Sequence, residues 1–139
     1  MTTNIQLDPE LPDLYRIIDA NLNRLKEGIR VIEDCARYLH NNKEIARELK
    51  SLRHLARFDK QESLLSSRDS VNDVLRPTQK SELDRPSLQS MLTANFKRAQ
   101  EASRVLEEYL KLIKPDESET YKQIRYTLYT IEKTYLLSL

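Results

Sequence analysis

A chain of 139 residues with one glycine, one cysteine and no tryptophan excludes several functions before any motif is read. Walker, dinucleotide-binding and kinase Gly-rich loops all use glycine to bring backbone close to phosphate, so any phosphate this chain handles must be met by side chains or helix N-termini. With 23 basic and 22 acidic residues and a net charge of +1 there is no nucleic-acid footprint, and the longest apolar runs are too short to span a membrane.

The length suits one domain with a real core. The single Cys35 precludes an internal disulfide and fits a reducing compartment. It falls on an apolar helix face, where a small buried hydrophobe is the expected role. No signal peptide is legible, which makes the cytoplasm the default location.

Residues 1–11 read as a polar arm without periodicity, and the rest, 12–139, as one helical domain. Pro12 and Asp13 open a first helix, with Asp13 as N-cap, that runs to about His40 and breaks at Asn41 and Asn42. A second helix is predicted over 43–65, with Ile45, Leu49, Leu52, Leu55 and Ala56 on its apolar side. Residues 66–85 have no clean period, contain acids and bases including Arg68, Asp69, Asp73, Lys80 and Glu82, and are longer than a usual bundle connection. They read as a lid. A third helix starts near Pro86 and Ser87 and stops at Pro115, and a fourth spans about 117–137. All five prolines then lie outside the helices.

Two of these helices copy one another. A-N-x-x-R-x-x-E-x-x-R-V-[I/L]-E-[D/E] begins at Ala20 and again at Ala94, 74 positions on. K-x-[L/I]-R follows at 50–53 and 122–125. Each half is thus a helical hairpin (12–65 and 86–139), and two such hairpins make an all-α, pseudo-twofold four-helix bundle with a long central loop. At about 100° per residue, Asn21 falls at the centre of the apolar stripe of the first helix and Arg24 beside it, with Glu27 flanking. Asn95, Arg98 and Glu101 repeat the pattern, and Arg53 and Arg125 also fall on apolar faces. Buried guanidiniums need partners, so this constellation is either an interior ion-pair lattice or an anion site. Arg30 and Glu33 read as an ordinary surface ion pair. Gly28, mid-helix on the inner face, points to close approach of a backbone or a ligand, with helix packing the simpler use.

These stretches, with R-D-x-x-x-D-V at 68–74, together resemble the all-helical hydroxymethylpyrimidine-phosphate kinase family of thiamine biosynthesis, over about 12–135. The same domain occurs fused in front of thiamine-phosphate synthase. One departure is Leu75, where the family has glycine after D-V. The resemblance implies transfer of the ATP γ-phosphoryl group to a pyrimidine phosphate, with Mg²⁺. Synthase activity itself belongs to a barrel of about 200 residues or more, which this chain does not contain. On this reading Arg24, Arg98, Arg53 and Arg125 hold phosphates, Lys50 and Lys122 assist from one turn away, and Asn21 and Asn95 orient substrate. Glu27 and Glu101 pair the arginines or bind metal. Asp69 and Asp73 are the Mg²⁺ ligands, and Arg68 closes over the nucleotide. An enzyme requires a pocket with excess positive charge beneath 66–85. The competing expectation is a non-catalytic helical module docking on thiamine-phosphate synthase, whose inner arginines are fully neutralised. The broad flank of the long helices also suits a homodimer.

Overall fold

The computed structural model describes the backbone at 7–78 and 84–139 and the side chains from 11 onward within those ranges. The first six residues of the expected arm, and Lys80 and Glu82 of the expected lid, lie outside the described residues. The protein is all-α, with five helices and no strand among the described residues: α1 Leu7–Asp34, α2 Lys43–Leu55, α3 Gln61–Ser67, α4 Leu88–Ile113 and α5 Pro115–Leu137.

α1 buries Leu14, Ile18, Leu22, Leu25, Ile29 and Ile32, a run of three- and four-residue steps that puts one apolar stripe against the core. Its start corrects the expectation that Pro12 and Asp13 mark the N-terminus, since Pro9 and Pro12 both lie inside the helix. Pro9 falls in the first turn, where an N–H has no helical partner, and Pro12 gives up only one bond near that end.

Beyond Asp34 the helix widens into a π-helical turn, Cys35–Leu39. It closes with His40 N donating to Cys35 O at 3.1 Å and buries Cys35 and Ala36. Asn41 then takes a left-handed φ of 50°, which asparagine tolerates better than most residues. Asn42 caps α2 by accepting from Ile45 N at 3.0 Å.

The second helix expected over 43–65 is instead two helices with a break at 56–60. Phe58 is the reason. It is 2% exposed and packs on Tyr15 at 6.1 Å between ring centroids, so the chain must leave helical geometry to drive it inward. The Tyr121 hydroxyl donates to the freed Arg57 carbonyl at 2.8 Å, and burial pushes the Tyr121 pKa upward. α3 then buries Leu64.

Ser87 caps α4 by accepting from Ser90 N at 3.0 Å, close to the expected start. Pro115 is the first residue of α5, two positions before the expected one and in the position proline favours. α1 packs along α4, α4 along α5 and α2 on α1, while α2 meets α5, so the four close on one core; α3 lies against α1.

Gly28 serves helix packing. A Cβ there would meet the Asn95 carbonyl oxygen at 3.1 Å and Ala99 Cβ at 3.4 Å, so α1 and α4 cross with no room for a side chain. Gly28→Leu is expected to destabilise by about 1–3 kcal/mol, read as a lowered urea midpoint with an unchanged m-value.

Candidate functional site

The copied polar residues do not converge in the interior. Asn21 is 4% exposed, and its amide donates to the Ile17 carbonyl one turn back at 2.9 Å. Asn95 does the same to Met91, also at 2.9 Å. Arg24, Arg98, Glu27 and Glu101 are exposed, which corrects their expected interior placement. The residues that α1 buries centre about 50° to the far side of Asn21, so Arg24 lies about 110° off the apolar stripe rather than beside it, and the copied helix places Arg98 likewise.

The inner guanidiniums are neutralised. Arg53 makes a fork on Glu33, Nε to Oε1 at 2.8 Å and Nη2 to Oε2 at 3.1 Å. That hydrogen bond holds its pKa above the usual guanidinium value. Arg125 Nη2 donates to Glu107 at 2.9 Å, and Arg104 shares the same carboxylate at 3.3 Å. The expected Arg30–Glu33 surface pair is therefore replaced by Arg30–Asp34, at 3.3 Å. Glu33 and Glu107 are the site residues that the spacing argument overlooked. The clue was present, because both occupy the same position of the repeat as the two copied arginines demand. Lys50 and Lys122 are exposed on α2 and α5.

A cleft of about 680 Å³ opens instead on the flank of α1, beneath the segment after α3. Arg16, Arg24 and Arg68 line it with Asp13, Asp69 and Asp73, so its cations and carboxylates are equal in number. The expected excess of positive charge is not found there. Asn21 and Asn23 add amides, and Ile17, Ala20, Val105 and Tyr109 supply apolar surface.

Two guanidiniums tie the loop down. Arg68 makes a fork on Asp19, Nε to Oδ2 at 2.7 Å and Nη2 to Oδ1 at 2.8 Å, and this carboxylate, 6% exposed, raises the Arg68 pKa. Arg16 Nη2 donates to the Asp69 carbonyl at 2.9 Å. Arg68, expected over a nucleotide, is thus engaged with α1. Arg24 is in no ion pair among the described residues.

Asp69 accepts from the side chain of Asn72 at 2.7 Å and from its amide N–H at 3.2 Å, which holds its carboxyl below the ordinary range. Asp73 accepts from Leu75 N at 3.0 Å, so the residue standing in place of the family glycine takes part in the turn through its backbone. Among the described residues no three His, Cys, Asp or Glu cluster closely enough to cage a metal. Asp69 and Asp73 on one cleft wall suit an ion of the Mg²⁺ kind, which takes one or two carboxylates and completes its shell with water and substrate phosphates.

Arg16 and Asp19 escaped the sequence argument because they are not copied: the repeat has Ser90 and Thr93 in their places. Their role predicts a result. Asp19→Asn should release the loop, seen as faster amide exchange over 66–78 with α4 and α5 unchanged; unaltered exchange there would remove Asp19 as the tether.

No helix among the described residues is long and apolar enough to cross a membrane. A sequence profile of the ThiD2 family matches residues 16–134. The thiamine-phosphate synthase of Nostoc punctiforme is 46% identical over 121 residues, covering 86% of this chain and 34% of the relative. That of Thermosynechococcus vestitus is 41% identical over 126 residues, 90% and 36% of the two chains. The Synechocystis synthase is 43% identical over 120 residues, 86% and 35%. The chain thus spans about a third of the length of these curated relatives. No solved structure matches it. With most of its length inside the family profile, the chain belongs to the ThiD2 family.

Proposed function

We propose that this chain is a phosphotransferase of thiamine biosynthesis that converts hydroxymethylpyrimidine phosphate to its pyrophosphate with ATP and Mg²⁺. Family membership supports the pathway. The observation that carries the site is Arg24, in no ion pair among the described residues and lining a cleft that also offers two amides, an apolar wall with Tyr109, and Asp69 and Asp73. That set suits a flat, amide-recognisable ring with a phosphate attached: ring on the apolar wall, forked guanidinium on the phosphate.

The attacking group is a substrate phosphate oxygen, largely ionised at neutral pH because its second pKa is about 6. No general base is needed. The new bond joins this oxygen to the γ-phosphorus, the bond from that phosphorus to the bridging oxygen breaks, and ADP leaves. The chain's contribution is positioning and charge neutralisation. Arg24 holds phosphate, Asn21 and Asn23 orient the ring, and Asp69 and Asp73 hold Mg²⁺, which would supply neutralisation of phosphate charge. The duplicated-hairpin reading, two copies making a pseudo-twofold four-helix bundle, then has one competent half. The tethered loop and its cleft lie on α1, and the exposed Arg98 and Glu101 lie on the copy.

The test is a coupled assay for ADP with the pyrimidine monophosphate, ATP and Mg²⁺. Turnover with pyrophosphate product supports the reading, and a folded protein inactive across Mg²⁺ and Mn²⁺ concentrations ends it. A specific observation favours the second reading, a helical module acting beside thiamine-phosphate synthase. Arg53 and Arg125 are each neutralised by a carboxylate, and the cleft is charge-balanced. In that case the assay is silent and the chain instead binds the synthase in titration calorimetry.

A further inference from the structure

On the opposite side of α1 lies a cleft of about 480 Å³, lined by Arg37, Lys43, Arg47 and Lys50 with Glu33. It is separate from the candidate site. Glu33 is nine residues beyond Arg24, hence about 13 Å along the helix and half a turn of the axis away. Its one carboxylate is already held by both ends of the Arg53 fork. None of the four cations makes an ion pair among the described residues, whereas Lys97, Arg104, Lys111 and Lys114 all do. Glu44, in the adjoining hollow with Lys43 and Arg47, is a single carboxylate against four cations.

We propose that this cleft between the end of α1 and α2 is a second binding site, for the phosphate chain of an inorganic or nucleoside polyphosphate. Lys43, Arg47 and Lys50 follow one another at four- and three-residue steps, so they form one stripe about 10 Å long on α2. Arg37 faces them from the π-helical turn. A lone phosphate meets two of these groups, while a di- or triphosphate can reach all four, at the positive end of α2. The stripe is not a passive product of the duplication. In the second half the positions of Lys43 and Arg47 are held by Pro115 and Glu119, and Glu119 accepts from Gln123 at 2.7 Å. The concavity and the four-group footprint favour a small polyanion over a nucleic acid, which needs a far longer basic track. At this distance from Arg24, the ligand is no participant in a direct transfer at the other cleft.

Titration calorimetry on the whole chain, without Mg²⁺, tests this with inorganic triphosphate. One-to-one binding is expected, weakened about tenfold or more in Lys43→Gln/Arg47→Gln, since charged hydrogen bonds are lost. Arg24→Gln and the equally charge-changed Lys97→Gln/Lys111→Gln should stay within about twofold of the parent. ATP and orthophosphate are run alongside. ATP that depends on Lys43 and Arg47 as triphosphate does identifies a nucleotide tail; triphosphate dependence alone identifies an inorganic ligand. No binding by the parent, equal losses in both double variants, or loss confined to Arg24→Gln overturns the proposal. A protein silent in the kinase assay that still binds triphosphate here supports it, so the two readings fail separately.

Discussion

Replacing Arg53 by alanine should destabilise the protein by about 3 kcal/mol and lower its melting midpoint by about 10 °C. The Glu33 side chain is 3% exposed and that of Arg53 19%, so removing the guanidinium leaves a carboxylate in the core with neither of its two charge-assisted hydrogen bonds. The copied pair behaves differently. Glu107 also receives Arg104 at 3.3 Å, and the Arg125 Nε is itself buried without a partner. Arg125→Ala therefore removes a less complete interaction and should destabilise by about 1–2 kcal/mol. Restoring balance by taking away both partners, as Glu33→Leu/Arg53→Met, should recover most of the Arg53→Ala loss, because a well-packed apolar pair can replace a buried ion pair. Urea titration of the four proteins decides it. An Arg53→Ala protein within about 0.5 kcal/mol of the parent would show that the fork contributes nothing.

Arg24→Ala should lower kcat/KM for the pyrimidine phosphate by about a hundredfold or more, the loss typical when a charge-stabilising donor is removed from the reacting group. Stability should stay within about 0.5 kcal/mol, since the side chain is exposed and in no ion pair among the described residues. Arg98→Ala is the internal control. It removes the same residue from the same motif in the copied helix, which no tethered loop covers among the described residues, and its effect should stay within about threefold. Equal losses in the two variants would mean that both halves work, and no loss in either would leave the cleft on α1 without a part in the reaction.

The long helices, their duplication and the inward placement of Asn21 were legible from the chain because each depends on local periodicity, which a helix repeats faithfully over seven turns. So was the close approach of another helix at Gly28, which the structure shows to be α4. What periodicity could not show is the reach of long side chains. Arg24 lies about 110° from the centre of the stripe that α1 buries and Arg53 about 70° from that of α2; one ends in water and the other on Glu33. The difference lies in what the neighbouring helix offers at each level.

The break at 56–60 was hidden for a related reason. No helix-breaking residue marks it; Phe58 creates it by finding room beside Tyr15, a partner 43 positions away. The expected interior convergence of Arg24, Arg53 and their copies failed on the same ground, while the cleft beneath the segment after α3 keeps Asn21, Arg24, Arg68, Asp69 and Asp73. Composition alone established that phosphates, if handled, meet side chains rather than a glycine loop, and the repeat picked out Arg24. Tertiary contact alone decided that Arg16 and Asp19, in unrepeated positions, fasten the loop over one copy of the motif. A charge's partner is a matter of three-dimensional neighbourhood, and two residues half a chain apart become neighbours only when the core between them has formed.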